Sequence, residues 1–152
     1  MKLIDLFEND AEHSEALKKT GFWGKRGAGC LFYSTATSRY LIAHRSAEVE
    51  EPETWGTWGG AIDSKESPEK AVAREAKEET GYTGSAVFKH IWTFKHSSGF
   101  QYFNFLALIE DEFKPTLNWE TQGYKWVKAG EWPQPLHPGM IKLLENFDFS
   151  NP

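Results

Sequence analysis

Two nearly unbroken apolar runs, Ala28 to Ser34 and Tyr40 to His44, flank the short polar stretch Thr35-Ala-Thr-Ser38, a pattern that predicts a β-hairpin. Trp55-Gly-Thr-Trp-Gly-Gly60 then reads as a connector. A helical period follows: Ser67 suits an N-cap, Pro68 the first helical position and Gly81 the stop, which predicts a helix over residues 68–80. Val72, Glu75, Ala76 and Glu79 fall at i, i+3, i+4 and i+7, so they share its inward face. Alternation returns from Ala86 to Lys95, with Phe88 and Phe94 among the apolar positions, and a second long run covers Gln101 to Ile109. These predict paired strands. Tyr124 to Val127 adds a short strand, and Pro138 to Asn146, with apolar Met140, Ile141, Leu143 and Leu144, predicts a closing helix. At the other end, Asn9 to Glu12 resembles a cap starting a short helix that ends near Gly21, an N-terminal flank over residues 1–21. The order mixes helices and strands without regular βαβ alternation.

One helix breaks its own rules. Glu75, Glu78 and Glu79 stand at i, i+3 and i+4, where like charges repel by roughly 0.2–0.5 kcal/mol per pair. They also crowd the last turns before Gly81, where the helix dipole opposes acids by about 0.3–1 kcal/mol each. A cation resolves both problems. The plainer reading is a solvated acidic helix in which Arg74 and Glu78 form an i,i+4 pair with Lys77 nearby.

The spacing around these acids decides between the two. Gly60, Glu66, Arg74, Glu75, Glu78, Glu79 and Gly81 fit G-x5-E-x7-R-E-U-x-E-E-x-G-U, with Ala76 and Tyr82 at positions where a larger aliphatic residue is usual. Seven identities at fixed spacing are far more specific than a lone glycine-rich motif. The stretch from Gly60 to Tyr82 resembles a Nudix box. That resemblance implies an α/β fold, an α/β/α sandwich around a mixed β-sheet with the box as loop–helix–loop beside it. It also implies hydrolysis of a diphosphate linkage in a nucleoside diphosphate joined to another group.

Clustered carboxylates are hard oxygen ligands suited to Mg²⁺ or Mn²⁺, ions that keep waters and bridge to substrate phosphates. By the resemblance, Glu75, Glu78 and Glu79 are the metal-binding carboxylates, Glu79 foremost, with one of them available as the base. Arg74 orients a carboxylate, Glu66 braces the loop or joins an outer metal shell, and the Gly59 carbonyl is a further oxygen ligand. Glu120, in Leu117-Asn-Trp-Glu-Thr-Gln-Gly-Tyr-Lys-Trp126, lies where many relatives place another acid, as general base or ligand; a solvated loop glutamate is the competing reading. For substrate binding, Arg45 at the end of Tyr-Leu-Ile-Ala-His-Arg can pair with a phosphate. Trp58, Tyr102 and Phe103 can stack a base, although most of the 23 aromatic residues must be core. None of the five histidines has metal-ligand spacing, and His96 is read as structural.

Composition narrows the partners. The 152 residues suit one domain with a proper core, and no linker or repeat divides them. A net charge of −5 disfavours stable nucleic-acid binding. The single cysteine, Cys30, excludes an internal disulfide and a multi-cysteine zinc site. With no signal peptide and no long apolar run, a cytoplasmic protein without membrane partners is expected. The partner expected is a small nucleotide; a homodimer is compatible with these residues and not required by them. Two other readings stay open: action on a triphosphorylated or capped RNA 5′ end, and a non-catalytic module that senses a nucleotide.

Overall fold

The computed structural model describes residues 26–152; the expected helix before Gly21 falls outside them. In chain order the elements are β1 (Arg26–Ser34), β2 (Arg39–Arg45), β3 (Trp55–Gly56), β4 (Trp58–Ala61), α1 (Pro68–Thr80), β5 (Val87–Lys95), β6 (Gln101–Ile109), β7 (Thr121–Val127) and α2 (Pro138–Asn146). The seven strands form one mixed sheet. Among these seven strands only the β1–β6 pairing is parallel, in register from Arg26↔Gln101 to Ser34↔Ile109.

The hairpin partners β1 and β2 stay together only from Phe32↔Leu41 to Ser34↔Arg39 and then diverge. Into that fork goes the segment read as a connector: β3 pairs with the far end of β2, and β4 with the near half of β1. Its strands escape a periodicity reading because Gly56, Gly59 and Gly60 carry no side chain to alternate. The outer edges are β7, paired along β2, and β5, paired along β6. A bulge between His90 and Trp92 breaks the strict alternation read along β5.

Alternation on β1 divides the core. Ala28, Cys30 and Phe32 face α1 with Leu41, Trp58, Ala71, Val72, Ala76 and Phe105, whereas Leu31 faces α2 with Tyr40, Ile42, Leu106, Met140 and Leu143. The described residues therefore form two helical layers around a mixed sheet. Full burial of each large apolar side chain stabilises this arrangement by about 1.5–3 kcal/mol. The two unusual box positions are part of the packing: Ala76 is buried, and the Tyr82 ring sits 4.5 Å from Phe113 and 5.5 Å from Phe32. No described helix is long and apolar enough to cross a membrane.

Candidate active site

Helix α1 starts and stops where its capping chemistry dictates. The Ser67 side chain accepts from the Lys70 N–H, Pro68 opens the first turn, and Gly81 at φ 71° closes the helix with its N–H on the Lys77 carbonyl. The buried residues Ala71, Val72, Ala76 and Thr80 seat it on the sheet, which turns Glu75 and Glu79 toward β4 and leaves Glu78 more than half exposed.

Arg74 joins the loop to the helix. Its Nε and Nη2 donate to the two Glu66 carboxylate oxygens at 2.8 and 2.9 Å, a bidentate pair. Nη1 donates to Glu75 at 3.0 Å and to Glu78 at 3.2 Å, and Nη2 also reaches the Ala61 carbonyl at 3.2 Å. The Asp63 N–H adds a bond of 3.1 Å to Glu66. Hydrogen bonds from Arg74 and then from Asp63 hold the Glu66 carboxyl down at about 2. Both oxygens of Glu66 are thus committed within the protein. The first cation to relieve the acidic crowding is the helix's own arginine.

Among the described residues Glu79 has no such partner. Its carboxylate accepts from the Gly59 N–H, while its Oε2 is buried without a hydrogen bond to any of them. Burial first, then the negative charges of Glu75 and Glu120, push its pKa well up; the Gly59 N–H and Arg45 oppose the rise. Glu75 is also raised, by burial, with Arg74 opposing and Glu78 and Glu120 adding to the rise.

The close approach of strand and helix depends on glycine. A Cβ on Gly60 would lie 2.8 Å from the Glu75 Oε1, and one on Gly59 would lie 2.3 Å from the Ala28 carbonyl oxygen. Gly59 sits opposite Gly29 in the antiparallel β1–β4 ladder. Its N–H goes to Glu79, and because a residue's N–H and C=O share one side of an antiparallel strand, its carbonyl is presented along the same edge.

A family model described as the NUDIX domain matches residues 24–147. The chain belongs to the Nudix family. It is 30% identical over 129 residues to a Mycobacterium tuberculosis protein provisionally named 8-oxo-dGTP diphosphatase 3, covering 78% of this chain and 59% of that protein. The chain thus spans less than two thirds of that relative. Over 111 residues it is 30% identical to the CTP pyrophosphohydrolase of Escherichia coli, covering 72% of this chain and 82% of that one. Among solved structures it shares its fold with a MutT Nudix hydrolase from Burkholderia pseudomallei, at TM-score 0.60 and 24% identity over 80% of this chain and 96% of that one. It also resembles the Nudix hydrolase RenU from M. smegmatis, at TM-score 0.63 and 24% identity over 80% and 83% of the two chains.

The remaining residues separate into those that approach the Nudix box and those that do not. Glu120 is exposed on the β6–β7 connection, and its charge acts on both Glu75 and Glu79. Its carbonyl accepts from the Ser46 N–H at 2.9 Å, which ties that loop to the end of β2. Arg45 enters from β2, with Nε and Nη2 on the Glu50 carbonyl at 3.1 and 2.7 Å, and lies in the field of Tyr102, Glu120 and Glu79. Trp58 corrects the stacking expectation. It is 1% exposed and donates its indole N–H to the Leu41 carbonyl at 3.2 Å, so it belongs to the core and offers no face to a base. Tyr102 is also buried: its ring lies over Gly27, Gly29 and Gly59, and its hydroxyl is hydrogen-bonded to the Thr57 side chain. Phe103 is half-buried against the α1-side core. His96 is buried in the β5–β6 turn, its Nδ1 2.7 Å from the Ser98 hydroxyl.

Several contributors escaped sequence reading. Thr57, which positions Tyr102, carried no signal. Gly60 carried one as the opening residue of the box, but its service to Glu75 is visible only in space. An open cavity of about 750 Å³ lies away from these acids, lined by Trp132, Leu144, Phe147 and Phe149 near the C-terminal end.

The donor set bears on a divalent ion in two ways. Among the described residues, no three carboxylate, imidazole or thiol groups converge as a ready-made cage, because Glu75 and Glu78 turn an oxygen each toward Arg74. The Glu79 oxygen, Gly59, Glu75 and Glu120 are nevertheless all hard oxygen donors, and the three carboxylates lie close enough for their charges to act on one another. Mg²⁺ needs only one or two protein carboxylates, with waters and substrate phosphates completing its shell. The residues fit the ion.

Proposed function

We propose that this chain is a divalent-metal-dependent pyrophosphohydrolase that cleaves the phosphoric anhydride of a small nucleoside diphosphate derivative. The observation that carries the proposal is the buried, unpaired Glu79 oxygen beside Glu75 and Glu120. Leaving a carboxylate in that state costs folding free energy, and a site that binds charge at that point repays it. The names of the two relatives, an 8-oxo-dGTP diphosphatase and a CTP pyrophosphohydrolase, share a nucleoside polyphosphate and support this substrate class.

In this reading Glu79 and Glu75, with the Gly59 carbonyl and Glu78, would hold Mg²⁺ or Mn²⁺. Such an ion, when bound, would supply positive charge against the diphosphate and Lewis acidity toward water. Glu120, exposed across from the helix, takes the proton from the attacking water. The water oxygen forms the new bond to phosphorus, the bridging P–O bond breaks, and its electron pair leaves with the departing phosphate. Arg74 keeps Glu75 in position and Glu66 anchors Arg74, while Arg45 offers positive charge to a phosphate oxygen from the β2 side.

Product release from nucleoside triphosphates, oxidised nucleotides, nucleotide sugars and dinucleoside polyphosphates, with Mg²⁺ and then Mn²⁺, tests the proposal. Turnover of at least one nucleotide that disappears in Glu79→Gln is expected. Equal rates for parent and variant would overturn the assignment.

A further inference from the structure

Of Trp58, Tyr102 and Phe103, each with the chemistry to stack a base, the first two are 1% and 8% exposed and sit within the molecule, and Phe103 is half-buried against the core. Trp119 is the opposite case. The residue is 66% exposed, and it immediately precedes Glu120. Leaving so large an apolar ring in water gives up stabilisation that the core otherwise collects.

The position of Trp119 is not left to a loose loop. Asn118 Oδ1 accepts from the Glu120 N–H at 3.0 Å, forming an Asx turn directly under Trp119, and the Asn118 carbonyl accepts from the Thr121 N–H at 3.3 Å. The Glu120 carbonyl is fastened to Ser46, next to Arg45, and Gln122 donates to the Arg45 carbonyl at 2.8 Å. The turn is therefore pinned to the strand end that carries Arg45. With adjacent Cα atoms about 3.8 Å apart, the Trp119 backbone is held one residue from Glu120, whose charge acts on Glu75 and Glu79.

We infer that Trp119 is the platform on which the heteroaromatic base of a bound nucleotide stacks, with Glu120 and Arg45 flanking its phosphates. The inference rests on the nucleotide reading above and adds a specificity residue to it. A flat indole on a braced turn gives a large contact area with little side-chain freedom to lose, and it accepts any base through its π-face. Discrimination between bases then falls to other groups, so Trp119 sets affinity for nucleotides over simple diphosphates rather than the choice among bases.

The test compares binding of an α,β-methylene nucleoside triphosphate, and of methylenediphosphonate, which lacks a base, to the parent protein, Trp119→Phe and Trp119→Ala in Mg²⁺. Trp119→Ala is expected to weaken the nucleotide analogue roughly 5- to 150-fold, Trp119→Phe much less, and methylenediphosphonate is expected to bind all three alike. Unchanged nucleotide affinity in Trp119→Ala, or an equal loss for both ligands, would overturn the platform while leaving the nucleotide reading intact. A parent protein that neither binds nor cleaves any nucleotide would overturn both. Concentration-dependent self-association abolished by Trp119→Ala, with nucleotide affinity unchanged, would assign the indole to a contact between copies instead.

Discussion

Glu66 and Glu79 bracket one short helix, yet the protein treats them in opposite ways. Glu66 receives two bonds from Arg74 and one from a backbone N–H, and its pKa falls to about 2. Glu79 is buried with an unpaired oxygen, among like charges, and its pKa rises. Seen in the sequence, both are conventional box acids. The difference teaches that the Arg74 side is neutralised within the protein, whereas Glu79 keeps an oxygen without a hydrogen-bond partner among the described residues and is, under the proposed function, the side that a bound cation completes.

Replacing the unfinished side should have the largest effect on activity. Glu79→Gln is expected to lower kcat by at least about 10²–10³-fold, the scale of losing a key electrostatic group at a reacting centre. Its metal-free thermal unfolding midpoint should hold or rise, because the variant removes a buried unpaired charge. Steady-state kinetics and calorimetric melting check the two halves; a midpoint several degrees lower would break the comparison.

On the finished side the ranking of effects reverses. Arg74→Met should destabilise the fold by about 1–2 kcal/mol, discounted because the side chain is partly exposed, since three carboxylates lose a donor at once. Arg74→Lys should recover only part, because a point charge cannot reproduce the bidentate pair. Denaturant unfolding measures both. Full recovery by lysine would reduce Arg74 to a generic positive charge.

The two sides should also separate by pH. Glu66 has a folded pKa below its unfolded value, so its contribution is present above about 4.5 and fades as pH falls toward about 2. His137, whose Nδ1 accepts the Gly139 N–H to cap α2, is held down to about 3 by burial and then by Arg45. The unfolded chain takes up that proton first, so stability falls further as pH drops below about 6.5. Glu79 has the opposite sign: its folded pKa is raised, and metal-free stability declines as pH rises from about 4.5 through that raised value. Melting across pH with Glu66→Gln, His137→Asn and Glu79→Gln should remove these limbs one at a time.

How much of this was legible beforehand follows from where the information lies. Capping residues and periodicity placed the helices over 68–80 and 138–146, and the box spacing brought Glu75, Glu78, Glu79 and Arg74 together, because these are local properties of consecutive residues. The inward phase of Glu75 and Glu79 was likewise visible. Strands β3 and β4 were not, since glycines erase alternation. Nor was the burial of Trp58, which depends on the fork between β1 and β2. The Arg74–Glu78 pair was legible from its i,i+4 spacing, whereas Arg45 from the end of β2 and Glu120 from the β6–β7 connection converge through tertiary geometry that spacing cannot carry.

A smaller effect probes the contact between strand and helix. Gly60→Ala puts a methyl against the Glu75 carboxylate, the far end of a flexible side chain, so folding should change by less than about 1 kcal/mol. Activity should fall about tenfold as Glu75 swings away. Parent-like kinetics would show that the close approach serves packing alone.

The most direct test is a Mn²⁺ titration of the nucleotide-free protein, followed by thermal unfolding, for the parent and Glu79→Gln. The parent midpoint should climb with Mn²⁺ concentration by mass action, and the variant should show little or no climb. Equal climbs would contradict the claim that the orphaned Glu79 carboxylate is the point where this protein takes up its missing charge.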